Sequence, residues 1–172
     1  FTDLEPRSAG ASGDGYIWKY LFTIDPNRII KFDSTSFIPL PQDWKTNNDV
    51  AAVRNNASTS GQLKIVTITN RGVGYGTAAT YNNVPIKGDG SGGRCSVVVN
   101  AAGKIDSVEI TNGGSNYTFG SVGLSDVGLT NPSGSTDANF NVIIPPQDGH
   151  GADGYRDLGA NRVLFYSRVE ND

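Results

Sequence analysis

The side chain best suited to acid–base chemistry is His150, the only histidine of the chain, which lies in the run Asp148-Gly149-His150-Gly151-Ala152-Asp153. An imidazole paired with Asp148 or Asp153 could transfer protons or activate a nucleophile. Adjacent residues of one loop do not form a triad, however, and no Gly-x-Ser-x-Gly motif follows a strand. We therefore interpret His150 as a loop histidine and assign no catalytic residue.

The sequence also lacks a sufficient set of metal or phosphate ligands. The glycine-rich run Lys87–Gly93 offers one carboxylate, whereas a calcium ion takes six to eight oxygen ligands, so a hairpin turn is predicted there. No Gly-Lys-Ser/Thr element leads into a helix, and one histidine and one cysteine are too few for a zinc site. Cys95, beside Val97–Val99, is predicted to be an inert, buried strand thiol. We assign no metal site, no cofactor-binding residue and no cofactor.

Composition argues against two classes of partner. The chain has 14 basic and 17 acidic residues in scattered positions, so no cationic track is available for nucleic acid. No apolar stretch approaches the ~20 residues that cross a bilayer, and no signal peptide is recognisable. The chain starts at Phe1 and contains no methionine, which predicts a processed product or a piece of a longer protein.

Glycine and β-branched residues set the expected fold class. The 22 glycines fall in clusters between short β-branched runs, a pattern typical of many short strands joined by tight turns. Helical periodicity is weak, with candidate turns only around residues 41–45 and 152–158. We predict a mainly β protein with an antiparallel, sandwich-like scaffold and a small inserted β module.

An aromatic run near the start predicts the main strand of that scaffold. In residues 13–26 successive side chains would point to opposite faces of an extended strand, so that four aromatic side chains share one face. We predict that they hold two layers together and that Trp18 is buried. These candidate structural or interaction residues are Tyr16, Trp18, Tyr20 and Phe22.

Three sections follow from these patterns. Residues 1–60 contain the aromatic strand and a proline-bearing run at 37–41, predicted at a sheet edge or in an extended wrap. A polar linker or long loop, 46–61, leads into the next section. Residues 61–144 contain an internal repeat whose two copies are 42 residues apart. One copy ends at Tyr75 and the other at Tyr117, which predicts a duplicated module. Each tyrosine is expected to fold back over its own glycine turn. Residues 145–172 are predicted to return to the scaffold and to form a final strand, Val163–Val169.

Two of these sections resemble a known family. The run Gly13-Asp14-Gly15-Tyr16-Ile17-Trp18-Lys19-Tyr20-Leu21-Phe22, followed by Phe37-Ile38-Pro39-Leu40-Pro41 and Trp44, resembles the second half of the baseplate wedge protein of T4-like contractile-tailed phages. The ending, residues 149–169, is similar to relatives from phages of marine cyanobacteria. The middle section departs from the T4 protein and resembles glycine-rich β-modules of phage tail proteins, as an insertion would.

The resemblance implies a non-enzymatic structural subunit of the virion, assembled in the host cytoplasm into the tail baseplate. It implies contacts with other wedge proteins, a homodimer in the full-length protein, and an N-terminal half outside this chain. An alternative function is a carbohydrate- or receptor-binding tail module, in which Tyr75, Tyr81 and Tyr117 would lie exposed together. A glycosidase or peptidase would instead need a concave pocket with converging carboxylates, or His150 hydrogen-bonded to an acid.

Overall fold

The computed structural model describes residues 2–8, 16–57 and 59–169. The protein is mainly β, with 28% of residues in strands and 15% in helices. Every strand pair among the described residues is antiparallel, so the predicted fold class is confirmed at this level. The sandwich-like arrangement is not confirmed. The chain folds as two compact units, residues 1–58 with 150–172 and residues 59–149.

In the part of the first unit that the structure describes, one short strand pair is combined with three short helices. Its strands are β1 (Arg7–Ser8) and β2 (Ile17–Trp18). Its helices are α1 (Pro26–Phe32), α2 (Ala51–Asn56), which follows a 3-10 turn, and α3 (Gly154–Asp157). The predicted polar linker 46–61 therefore contains a helix that its composition did not indicate.

The predicted aromatic strand is much shorter in the structure. Regular pairing is confined to Ile17 and Trp18, and beyond them the backbone N–H of Tyr20 donates to the carbonyl oxygen of Asp3 at 3.0 Å. The chain then turns into α1, where the Asp25 side chain caps the helix and Pro26 occupies its first turn. An extended backbone needs a neighbouring strand for its hydrogen bonds. The alternation of side chains in the sequence does not show whether such a neighbour is present.

The prediction of a final strand at Val163–Val169 is also wrong. Residues 161–169 have no regular secondary structure, and no backbone hydrogen bond joins them to any other described residue. Their side chains alternate like those of a strand, but none of the strands that the structure describes pairs with them.

A small core holds the first unit together. Its fully buried side chains are Trp44, Val50 and Val53, and Phe22 packs edge-on against the indole with ring centroids 5.9 Å apart. Leu4, Tyr20 and Leu21 cover the same cluster from its edge.

The second unit contains six strands in two antiparallel sheets. The strands are β3 (Ile65–Arg71), β4 (Ala79–Gly88), β5 (Arg94–Val99), β6 (Ile105–Asn112), β7 (Gly120–Val122) and β8 (Ala138–Ile143). Hydrogen bonds join them in the orders β6-β5-β4-β7 and β3-β8, while β3 also packs beside β6 and β8 beside β7. The strands thus curl into a half-barrel around one core. Cys95 lies in that core, where burial raises its pKa to about 11.

The two copies of the repeat occupy equivalent places in this unit. Asn70 accepts a hydrogen bond from the N–H of Gly72, and Asn112 accepts one from Gly114, both at 2.9 Å. Gly72 and Gly114 have nearly the same positive φ, 58° and 59°. The sequence repeat is therefore also a repeat of backbone conformation at its turns.

The copies also bind each other reciprocally. The N–H of Tyr75 donates to the carbonyl oxygen of Gly103 at 3.0 Å, and the N–H of Tyr117 donates to that of Gly61 at 3.2 Å. Each bond joins the tyrosine of one copy to the first glycine of the other. Neither copy can therefore complete its own hydrogen bonding alone.

Candidate protein–protein interface

The four aromatic residues of the predicted strand do not form one buried face. Tyr16 and Trp18 are exposed, and the Trp18 side chain is 48% exposed, so the prediction that it is buried is wrong. Tyr20 and Phe22 are partly buried against the small core of the first unit. The tryptophan at the centre of that core is Trp44, which the strand pattern did not single out.

The two repeat tyrosines are core residues. Tyr75 is 5% exposed, and its hydroxyl accepts a hydrogen bond from the N–H of Ala138 at 2.7 Å. Each ring lies against the turn glycine of its own copy, Gly72 or Gly114. This position excludes the expected sugar-stacking platform, because Tyr75 cannot present a ring to a ligand.

Tyr117 is buried more completely still, at 3% exposure. Its hydroxyl accepts from the N–H of Gly93 at 3.0 Å and donates to the carbonyl oxygen of Ile86 at 2.9 Å. Tyr81, the third member of the expected platform, is partly buried on β4. The carbohydrate-binding alternative thus loses the surface on which it depended.

Asp89 in the glycine-rich loop serves as a local anchor. Its carboxylate accepts hydrogen bonds from the N–H and hydroxyl of Thr118 and from the N–H of Phe119. The hydrogen bonds from Thr118 are the main cause that lowers the pKa of Asp89 to about 2. The loop connects β4 to β5, and among residues 2–8, 16–57 and 59–169 no group of three acidic, histidine or cysteine side chains could hold a metal ion.

The acids near His150 have structural roles. The Asp153 side chain accepts from the N–H groups of Tyr155 and Arg156 and so caps α3. Asp157 accepts from the N–H of Gly151 at 2.6 Å. The carbonyl oxygen of His150 accepts a hydrogen bond from Lys19 at 2.8 Å. These contacts organise the loop of the first unit around its core.

The first unit carries an unusually apolar surface. Helix α1 has no buried residue, and the Ile30 side chain is 84% exposed. Exposed apolar side chains continue in the next segment and in the closing residues of the chain. We call this set the apolar face; it consists of Ile29, Ile30, Phe37, Ile38, Val163, Leu164, Phe165 and Tyr166.

Three ring contacts bring the parts of the apolar face together. Tyr166 packs edge-on against Phe32 with ring centroids 6.3 Å apart, and Lys31 Nζ lies 4.7 Å from the Tyr166 ring centroid. The guanidinium of Arg162 lies 5.8 Å from the ring centroid of Phe37. The closing segment therefore runs beside α1 and the residues that follow it.

The closing segment presents one side outwards. Phe165 is 90% exposed and Val163 and Val169 are similarly open, whereas Leu164 and Tyr166 are less exposed. An extended segment has this alternation when one side rests on a support and the other faces solvent. The outward side is apolar, and its backbone makes no hydrogen bond to another described residue.

The two units differ sharply in how many large apolar side chains they expose. Of the large exposed hydrophobic residues, all but Phe119 and Ile143 belong to the first unit. The same unit has only three fully buried side chains among its described residues. Large contiguous apolar surface on a folded chain marks a place where another molecule binds.

Comparisons with protein-family models, curated proteins and solved structures found no match. Among the described residues, no helix is both long enough and apolar enough to cross a membrane.

Proposed function

We propose that this chain is a non-enzymatic structural subunit of a phage tail baseplate wedge, which works through protein–protein contacts in virion assembly. The observation that carries the proposal is the apolar face of the first unit. A unit that exposes more large apolar side chains than it buries gains stability when a partner covers them.

The free energy available from burial of these exposed side chains favours a lasting contact. Burial of an exposed leucine, isoleucine or phenylalanine side chain is worth about 1.5–3 kcal/mol. Ile30 and Phe165 are almost wholly exposed, so each offers most of that amount to a partner that covers it. Aromatic and large aliphatic anchors of this kind dominate the binding energy of protein interfaces.

The shape of the closing segment suggests how a partner would bind. Residues 161–169 have no regular secondary structure, and their backbone groups form no hydrogen bond within the described chain. Such a segment can add to the edge of a neighbour's sheet, where main-chain hydrogen bonds give affinity and alternate side chains give specificity. Arg162 and Arg168 favour an edge with acidic side chains.

The specific assignment to a baseplate wedge is supported by the sequence motifs. The aromatic run that contains Trp18, the Phe37–Pro41 run and the ending all resemble that family. On this proposal the partners are other wedge proteins and, in the full-length protein, a second copy. The location is the tail baseplate of the virion.

A co-expression experiment tests the proposal. We would produce the chain with the products of the tail genes that lie beside its own gene and measure the complexes by size-exclusion chromatography with light scattering. A stoichiometric complex is expected, and Phe165→Ser should weaken it at least tenfold. Phe119→Ser, an exposed phenylalanine of the second unit, is the matched control and should leave it unchanged. Equal binding by both variants, or no complex with any of these products, would contradict the proposal.

A further inference from the structure

Three side chains of the first unit converge on one amide group. Lys19 Nζ donates to Asn56 Oδ1 at 3.0 Å, and Asn56 Nδ2 donates to Glu5 Oε1 at 2.6 Å. The amine and the carboxylate therefore occupy opposite ends of the same side-chain amide. The three residues come from well-separated parts of the chain, so no sequence motif connects them.

The orientation of the Asn56 amide follows from its partners. An ammonium group can only donate hydrogen bonds and a carboxylate can only accept them, so the amide oxygen must face Lys19 and the nitrogen must face Glu5. Lys19 is held in place by a second bond, 2.8 Å from Nζ to the carbonyl oxygen of His150. Two acceptors thus hold the amine next to the Asn56 amide, in contact with its oxygen.

We propose that Lys19 and Asn56 form an intramolecular isopeptide bond, with Glu5 as the proton-transfer group. The Lys19 ammonium first loses one proton to solvent, and the neutral Nζ attacks Cγ of Asn56. In the tetrahedral adduct both nitrogens are bonded to Cγ, so Glu5, which already contacts Nδ2, can take a second proton from Nζ and give it to Nδ2. The Cγ–Nδ2 bond breaks, ammonia leaves, and Nζ keeps its last hydrogen as the N–H of the new amide. No oxidation or reduction occurs, and Glu5 ends as a carboxylate.

The geometry supplies what this reaction needs. Amide aminolysis is slow between free molecules. Fixed proximity of the reacting groups can be equivalent to an effective concentration of about 10⁵–10⁸ M. The carboxylate already touches the nitrogen that must be protonated before it can leave. Lys19 and Asn56 are both partly buried, which limits competition from water.

The location gives the bond a structural purpose. The first unit buries only three large side chains, and a small core of this kind is commonly reinforced by a covalent link. A bond from Lys19 to Asn56 would join the segment after β2 to the last residue of α2, across 37 positions of the chain. This inference does not rest on the proposed function, because it concerns the chain by itself.

Intact-mass spectrometry tests the proposal. The purified chain, kept at neutral and at mildly alkaline pH, should lose the mass of one ammonia, faster at the higher pH, since only the neutral amine attacks. Proteolysis should then release a branched peptide that joins Lys19 to Asn56. The same chain held unfolded in urea should not form the link, because proximity is lost. A chain that keeps its full mass after prolonged folded incubation would overturn the proposal.

Three variants separate the link from other losses of ammonia. Lys19→Arg keeps the positive charge but should abolish the branched peptide, and Glu5→Gln, which keeps the size of the side chain, should slow its formation at least tenfold. Lys45→Arg, at an exposed lysine of the same unit, should behave as the unaltered chain does. Loss of ammonia by the unaltered chain without any branched peptide would indicate succinimide formation, for example at Asn112 before Gly113, and would overturn the proposal. Formation at an unaltered rate in Glu5→Gln would overturn the role of Glu5.

Discussion

The indole of Trp44 donates its Nε1–H to the carbonyl oxygen of Gly151 at 3.0 Å, across 107 positions of the chain. Gly154 lies against the same ring so closely that a Cβ there would come within 2.5 Å of it. The hydroxyl of Tyr155 accepts from the N–H of Trp44 at 3.2 Å. Trp44 therefore ties the loop and helix at 151–157 to the earlier part of the first unit.

The first prediction contrasts the two tryptophans. Trp44→Ala should destabilise the first unit by about 3–5 kcal/mol, since it removes a buried ring and leaves a cavity. Trp18→Ala should cost less than about 1 kcal/mol, because that side chain is half exposed. Urea denaturation followed by circular dichroism measures both. Equal losses of stability would contradict the assignment of Trp44 to the core.

The second prediction concerns the buried hydroxyl of Tyr117. Tyr117→Phe leaves the N–H of Gly93 and the carbonyl oxygen of Ile86 without their partner, at a cost of about 1–3 kcal/mol. Tyr81→Phe is the control, since it removes the same atom from a partly exposed tyrosine and should change the free energy of unfolding little. Thermal unfolding of the two variants should therefore differ by several degrees. No difference would show that the hydroxyl of Tyr117 is satisfied by other groups.

The third prediction separates backbone strain from steric contact at glycine. Gly114 and Gly128 both have positive φ, so alanine at either position costs about 1–2 kcal/mol of conformational strain. A Cβ at Gly114 would also meet Gly93 N at 2.6 Å, whereas one at Gly128 meets nothing within 4 Å. Gly114→Ala should therefore be clearly more destabilising than Gly128→Ala. Comparison of their urea midpoints measures the difference, and similar midpoints would refute the close approach.

The fourth prediction is a dependence of stability on pH. The pKa of Asp89 is about 2 in the folded protein against an ordinary value of 3.8, so the carboxylate is favoured by folding. Its contribution to stability is complete above the unfolded value and is lost as pH falls from about 3.8 towards 2. In Asp89→Asn this part of the pH dependence should be missing. Melting temperatures measured across this range test it, and parallel curves for the two proteins would contradict it.

Sequence patterns predicted the local features of the second unit well. Asn70 and Asn112 precede glycine turns, and the structure places both asparagine side chains on the turn N–H groups. Such turns depend on residues that are close in sequence, so the residue types suffice to predict them. The mainly β, antiparallel fold class follows from the same short-range signals.

The first unit could not be predicted in the same way. Whether the run at Trp18 becomes a long strand depends on a neighbouring strand, and the described chain supplies only β1 beside it. Residues 163–169 alternate as a strand does, but within residues 2–8, 16–57 and 59–169 no strand pairs with them. The convergence of Glu5, Lys19 and Asn56 likewise depends on tertiary packing that no spacing reveals.

Hydrogen–deuterium exchange of the closing segment tests the central claim most directly. In the isolated chain the N–H groups of residues 163–169 should exchange rapidly, because none is hydrogen-bonded to another described residue. In the complex with neighbouring tail proteins, exchange of these residues should slow at least a hundredfold, together with that of α1 if the partner covers the whole apolar face. Exchange that is equally fast in the free chain and in the complex would contradict the claim that this face is an assembly interface.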